Sequence, residues 1–297
     1  MFDVMERLVF CGSYVALVTP MLATGEVDYT AMLGLVDWHL SSGSDGLVIL
    51  GTTGEAASLT SYERHKIIKS IVSYVDKRIP VIVGAGAQST HGTISLTLEA
   101  KSLGADAVLL VTPCYVKPTQ KGLIEHFRAV AQQCDIPQIL YNVPSRSGVD
   151  LLPEAVLELS REDNIVGIKD ATANLDRLQQ MLVVNKNKKE MAFFSGDDAT
   201  SLEFMKLGGD GVISVAANIA PLEMKQLCDS ARSKDYNIAN KINISLNDLY
   251  SALFCESNPI PVKWMLYKMK RISLQLRLPL TPLDDRFHAV CLRAAIK

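Results

Sequence analysis

The sequence has little of what marks most specialised protein classes. Its basic and acidic residues nearly cancel, 30 against 32, and the two signs are mixed along the chain. No field therefore exists to gather a polyanion, and nucleic acid is not an expected partner. No apolar run approaches the roughly 20 residues that a membrane-spanning helix needs. The start carries Asp3 and Glu6 rather than a basic stretch ahead of an apolar one, so it does not read as a secretion signal. The six cysteines (Cys11, Cys114, Cys134, Cys228, Cys255 and Cys291) are spread out and form no C-x-x-C pair, which leaves out zinc-ligand and dithiol spacing. A disulfide framework is not expected in a chain of this size, and a reducing cytoplasm is the expected compartment. The five histidines (His39, His65, His91, His126 and His288) fall in predicted helices or helix starts, away from the strand ends where a barrel would hold a metal. Neither a metal nor a cofactor is expected. A phosphate loop and a serine nucleophile elbow are also missing.

What remains is an ordinary globular composition, 48% hydrophobic and 21% charged over 297 residues, enough for one large α/β domain with an addition. Eight short apolar runs recur at fairly even intervals: SYVALVTP (13–20), GLVILG (46–51), PVIVGAG (80–86), AVLLVTP (107–113), QILYNVP (138–144), IVGIKD (165–170), AFFSGDD (192–198) and GVISVAAN (211–218). Their hydrophobicity is continuous rather than alternating, as strands covered on both faces require. Helix-like segments lie between them and carry start signals: Asp28, a capping box from Thr60 to Glu63, and Pro153 and Pro221 at first-turn positions. Eight such alternations over about 230 residues predict a (β/α)8 TIM barrel. A doubly wound open sheet is the alternative, but the first βα turn has no G-x-G-x-x-G. Residues 1–232 are assigned to the barrel. The remainder, 233–297, is assigned to a small C-terminal helical domain with helices near 236–254, 260–272 and 284–296, divided by SNPIP and LPLTP.

A TIM barrel performs its chemistry at the C-terminal ends of its strands, and most ends here are polar. The second run ends in GTTGE, with Thr52, Thr53 and Glu55. The fourth leads to Tyr115, the fifth ends in Tyr141-Asn142 with Arg146 close behind, the sixth in Lys169-Asp170, and the seventh in Ser195-Gly196-Asp197-Asp198. Lys169 carries the most information, because it closes an apolar strand and would sit inside the barrel mouth. Desolvation there favours the neutral amine, the form that attacks a carbonyl. The plain alternative is a lysine that snorkels to solvent or pairs with Asp170 or Asp197. Tyr141 reads equally as core filler. GTTGE can be an ordinary strand-to-helix turn or a cradle for a carboxylate. Arg146 is either solvated or a fork for a substrate carboxylate.

Taken in order, GTTGE, YNVPSRSG, GIKDAT, SGDD and GVISV resemble the 4-hydroxy-tetrahydrodipicolinate synthase family, and NPIPVKW (258–264) and LRLPLTP (276–282) extend the likeness along essentially the whole chain. The G-x-x-G-E turn and the strand-six lysine are shared with a wider group of class I aldolase-like barrels. The resemblance implies that Lys169 forms an imine with pyruvate, whose enamine attacks L-aspartate 4-semialdehyde on the diaminopimelate route to lysine. It implies a proton relay of Thr53, Tyr141 and Tyr115, with Tyr115 supplied by a neighbouring subunit. It places Thr52 and Thr53 at the pyruvate carboxylate, Arg146 at the semialdehyde carboxylate, and the backbones of Gly196 and Ile213 along the pyruvate site. The expected assembly is a homotetramer built from two tight dimers.

One departure concerns regulation. Where lysine-inhibited members of the family hold the end product, this chain has Ala56, Ser61, Arg64, Gln88, Gly92 and Cys114. His65 stands one residue from a family histidine, and one residue turns a helical side chain by about 100°. Weak or absent inhibition by L-lysine is therefore expected. Two other functions remain open at this point. A pyruvate-releasing sugar-acid aldolase would use Lys169 and Tyr141 but has no evident use for Arg146, and a non-catalytic barrel would need none of the set.

Overall fold

A computed structural model describes residues 10–183 and 191–295. The acidic start read from Asp3 and Glu6, and the last residue of the helix expected at 284–296, lie outside them. Eight parallel strands close into a barrel in chain order. They are β1 (Gly12–Ala16), β2 (Gly46–Ile49), β3 (Val81–Gly84), β4 (Ala107–Val111), β5 (Gln138–Asn142), β6 (Ile165–Asp170), β7 (Ala192–Ser195) and β8 (Gly211–Ser214). Closure is made at Tyr14, which stands opposite Gly46 of β2 on one side and Ile213 of β8 on the other. The predicted (β/α)8 barrel is therefore the observed one, and the open sheet is set aside.

Continuous apolar strands are what this closure needs, because each strand faces two separate cores. Inside the barrel, Tyr14, Val48, Ile82, Leu109, Ile139, Phe194 and Ile213 form one cluster. A larger cluster fills the layer between strands and helices. The expected helix signals act as read. Asp28 accepts from the Ala31 amide, Thr60 and Glu63 form a complete capping box, and Pro153 and Pro221 stand in first turns. Several strands end earlier than the apolar runs, for a local reason. In GLVILG the ladder stops at Ile49 because Leu50 turns to φ 56. That turn brings the Leu50 carbonyl against β3, where a Cβ on Gly84 would lie 2.1 Å from its oxygen. Only glycine at 84 admits the turn that launches GTTGE.

The tail forms helices at Tyr236–Ala252, Ile260–Lys268 and His288–Ala295. The second is shorter than its expected 260–272 because Lys270 adopts φ 58. Trp264, Met265, Leu246 and Leu249 join the same apolar cluster as the barrel's outer layer. Polar ties add to this. Arg277 pairs with Glu63 and donates to the carbonyls of Gly25 and Ser58. Lys263, fully buried, pairs with Glu55 of the GTTGE turn and donates to the Thr19 carbonyl at 3.0 Å. Two cysteines far apart in sequence, Cys255 and Cys291, are free thiols with sulfurs 3.9 Å apart. Among the described residues no helix is long and apolar enough to cross a membrane.

Candidate active site

A cavity of about 260 Å³ opens at the C-terminal mouth of the barrel. Thr52, Thr53, Tyr141, Arg146, Lys169, Gly196 and Asn258 line it, with Ser145, Asp197, Val215 and Phe254 among others. Strands β1, β2 and β4 to β8, or the turns that follow them, and the tail thus supply a single space. A shallower depression of about 370 Å³, around Asp28, Tyr267 and Arg271, holds none of the strand-end set.

Lys169 points inward because β6 alternates, and its neighbour Asp170 points outward. Asp170 is bound by Arg177 Nε at 3.1 Å, and Arg177 also holds Asp150 at 3.1 Å. Asp197 accepts from the Thr200 amide at 3.0 Å and the Thr200 hydroxyl at 2.7 Å. Neither carboxylate pairs with Lys169, and its amine is 6% exposed by residue, so neither a salt bridge nor snorkelling describes it. Nζ instead lies 4.6 Å from the centroid of the Tyr141 ring. Burial brings its pKa down to about 8, against a smaller upward pull from Asp198 and with a further downward push from Arg146. Asp198 is itself buried and accepts from the amides of Val215 and Ala216 at 3.0 and 2.9 Å, while desolvation raises its pKa. About a tenth of the amine is then neutral at pH 7, where an ordinary lysine has well under about a thousandth.

Gly196 permits this placement. A Cβ there would lie 2.9 Å from Lys169 Cε and 2.7 Å from Ala171 Cβ, so any side chain would displace the lysine stem. Tyr141 is buried, and burial raises its pKa, while a hydrogen bond with the Thr52 side chain and the nearby Arg146 oppose the shift. The two threonines are thereby distinguished. Thr52 meets Tyr141, whereas the Thr53 hydroxyl accepts from Asn258 Nδ2 at 2.9 Å. Thr52 is thus the threonine that acts on Tyr141, and Thr53 the one held by Asn258. Arg146 sits on the short helix Pro144–Ser147 and donates from Nη2 to the Asn258 carbonyl at 3.2 Å.

Two expected residues stand apart from the cavity walls. Ile213 is packed in the barrel interior. Tyr115 is 87% exposed and does not reach the cavity of its own chain. Its φ of 73 is unusual for an aromatic residue, and its amide donates to the Ser147 carbonyl, holding the loop beside Arg146. Among the described residues no group of three or more His, Cys, Asp or Glu is placed to hold a metal ion.

Residues 9–296 match the model of the dihydrodipicolinate synthetase family. This chain belongs to that family. The 4-hydroxy-tetrahydrodipicolinate synthase of Coxiella burnetii is 52% identical over 280 residues, 94% of this chain and 95% of that one. That of Ectopseudomonas mendocina is 53% identical over 277 residues, 93% and 94% of the two chains. The crystal structure of the chloride-inhibited dihydrodipicolinate synthase from Acinetobacter baumannii, complexed with pyruvate, superposes with a TM-score of 0.94 at 49% identity, covering 96% of this chain and 98% of that one. The expectation of a lyase of the dihydrodipicolinate synthetase family holds with these matches.

Set within this family, the site contains a residue that strand-end reasoning passed over. Asn258 opens the NPIPVKW segment, which stood out in the sequence only as a block of likeness. Nothing in its spacing points to a cavity more than two hundred residues away from Thr53 in the chain. Arg64, one of the residues that depart from the lysine-inhibited pattern, is buried and donates from Nη2 to the Gly84 carbonyl at 2.8 Å. Its charge is therefore tucked between the helix Ser61–Val75 and the end of β3.

Proposed function

We propose that this protein condenses pyruvate with L-aspartate 4-semialdehyde through an imine on Lys169, yielding 4-hydroxy-tetrahydrodipicolinate for lysine biosynthesis. The observation that carries the reading is a buried lysine, without an ion pair among the described residues and with its pKa lowered to about 8, at the wall of a small cavity. The neutral Nζ attacks the keto carbon of pyruvate, and loss of water gives the imine. Removal of a methyl proton turns the imine into an enamine, with the imine nitrogen as electron sink. The enamine carbon attacks the semialdehyde's aldehyde carbon. The semialdehyde's own amine then attacks the imine carbon, closes the ring and releases Lys169.

Each step moves a proton, and hydroxyls can pass one without holding a charge in a dry site. Thr52, which stands with Tyr141 at the cavity and opposes the rise in its pKa, supports assigning the relay to that pair. Thr53 then serves the pyruvate carboxylate, alongside the backbones of Gly196 and Ile213, and Arg146 receives the carboxylate of the semialdehyde. Tyr115 completes the relay from a neighbouring subunit, a reading supported by its exposure and that of the adjacent Val116. A tight dimer is then the smallest complete unit, paired into a homotetramer in the cytoplasm. Inhibition by L-lysine is weak or absent, a reading supported by Ala56, Ser61, Gln88, Gly92 and Cys114 at the positions where lysine-inhibited members of the family hold the end product.

The test is borohydride reduction in the presence of pyruvate, followed by peptide mapping. A single adduct on Lys169 is expected; an adduct on another lysine, or none, overturns the mechanism. Steady-state rates with pyruvate and the semialdehyde, set against sugar-acid cleavage, decide the reaction. The same assay with sub-millimolar lysine should show no clear inhibition.

A further inference from the structure

Asn258 is 6% exposed and touches both carboxylate-binding residues assigned above, its side chain bonded to Thr53 and its carbonyl to Arg146. We infer that Asn258 is a positioning residue, which fixes the direction in which Thr53 offers its hydroxyl proton to the pyruvate carboxylate and holds Arg146 in register with it; this rests on the preceding assignment of the site.

A threonine hydroxyl has one proton to give and two acceptor positions. The Asn258 amide nitrogen occupies one of those positions, so the proton must point elsewhere. Among the described residues Asn258 is the one hydrogen-bond partner of Thr53 Oγ1, and Thr53 lines the cavity. The proton is thus free for a ligand there. A carboxylate accepts and cannot donate, so a threonine already held by a donor is set for it. Aspartate at 258 would reverse the arrangement, taking the threonine proton and placing a second negative charge beside the ligand.

The amide is held firmly. Its turn leads into the helix Ile260–Lys268, and that helix is anchored by Lys263, buried against Glu55 and the Thr19 carbonyl. The GTTGE turn and the tail are therefore joined through residues 53 and 258, through 55 and 263, and through the Arg277 amide, which donates to Glu55 at 3.3 Å. Among the described residues Asn258 Oδ1 is buried without a hydrogen-bond partner, so the amide is tied to the site through its nitrogen. The backbone link to Arg146 gives the two carboxylate sites a common support.

The test uses the pyruvate half-reaction, read by borohydride trapping over a range of pyruvate concentrations, with thermal melts of every variant. Wild-type protein should give a saturable adduct on Lys169; failure of the wild type strikes the assignment of the site and not this inference. Asn258→Asp should raise the half-saturating pyruvate concentration by about tenfold or more, because a site built to offer a donor now offers an acceptor. Asn258→Ala and Thr53→Val should each weaken pyruvate, and their combination should weaken it no further than Thr53→Val alone, as residues acting through one hydroxyl must. Saturation of Asn258→Asp at the wild-type pyruvate concentration overturns the inference. So does a lower melting temperature with unchanged pyruvate dependence, or multiplication of the two effects in the double variant. If Asn258→Asp fails to melt cooperatively, the Asn258→Ala and Thr53→Val cycle decides alone.

Discussion

Lys169 and Lys263 are both withdrawn from water, 6% and 0% exposed, yet their surroundings ask opposite things of an amine. Lys263 lies where the tail meets the GTTGE turn, with Glu55 as counter-ion and a carbonyl as second acceptor. Burial pulls its pKa down, and Glu55 pulls it back. Lys169 has an aromatic ring beside it and its outward carboxylate neighbour engaged by Arg177; burial lowers its pKa, Asp198 opposes this from beyond ion-pair distance, and Arg146 adds repulsion. The difference teaches that burial alone does not make a lysine reactive. A buried lysine with a carboxylate is a fastener, and one without has a proton that is easy to lose.

The comparison can be broken at several points. The largest effect is expected from Lys169→Met, which should lower condensation at least about 10³-fold in a steady-state assay. The same change should not lower the melting temperature. With its folded pKa near 8 against an ordinary value of 10.5, the ammonium form costs the fold about 3 kcal/mol at neutral pH. The unfolded chain binds that proton more readily, so the cost is full below pH 8 and fades as pH rises toward 10.5. A variant that melts well below wild type would mean that Lys169 is a structural lysine after all.

Lys263→Met should behave in the opposite way, lowering unfolding stability by about 3–5 kcal/mol because Glu55 is left buried without a counter-ion. Adding Glu55→Gln should recover much of that loss in a urea melt. No loss in the single variant would show that the pair is not a fastener. The smallest effect is the pH profile of the pyruvate trapping rate. It should rise by up to about tenfold per unit below pH 8 and flatten above it, as the neutral amine becomes the main form. An inflection near 10 would place Lys169 in water.

The barrel was legible because strands with a core on each face must be apolar throughout, and eight such runs leave few folds to choose among. Strand ends were less legible. Ile49 ends β2 because Leu50 turns left-handed against Gly84 of the next strand, a packing condition that a local reading of GLVILG does not contain. The site was legible wherever a reactive side chain closes a strand, as with Lys169, Tyr141 and the two threonines. Which threonine meets Tyr141 was not, since the backbone path of a turn decides it and both residues are chemically alike. Asn258 was hidden for the same kind of reason, as a polar residue in a loop whose partners lie at the far end of the chain.

By itself the sequence determined the number of strands, the helix starts and the family, because these follow from periodicity, capping chemistry and short motifs. Tertiary structure alone decided which carboxylates the two buried lysines face, and so which one is ion-paired and which is not. It also decided that Thr53 is held from the tail by Asn258. The physical reason is that a side chain's charge and proton direction depend on what stands within a few ångströms of it, and in a closed barrel those neighbours come from strands and helices distant in the chain.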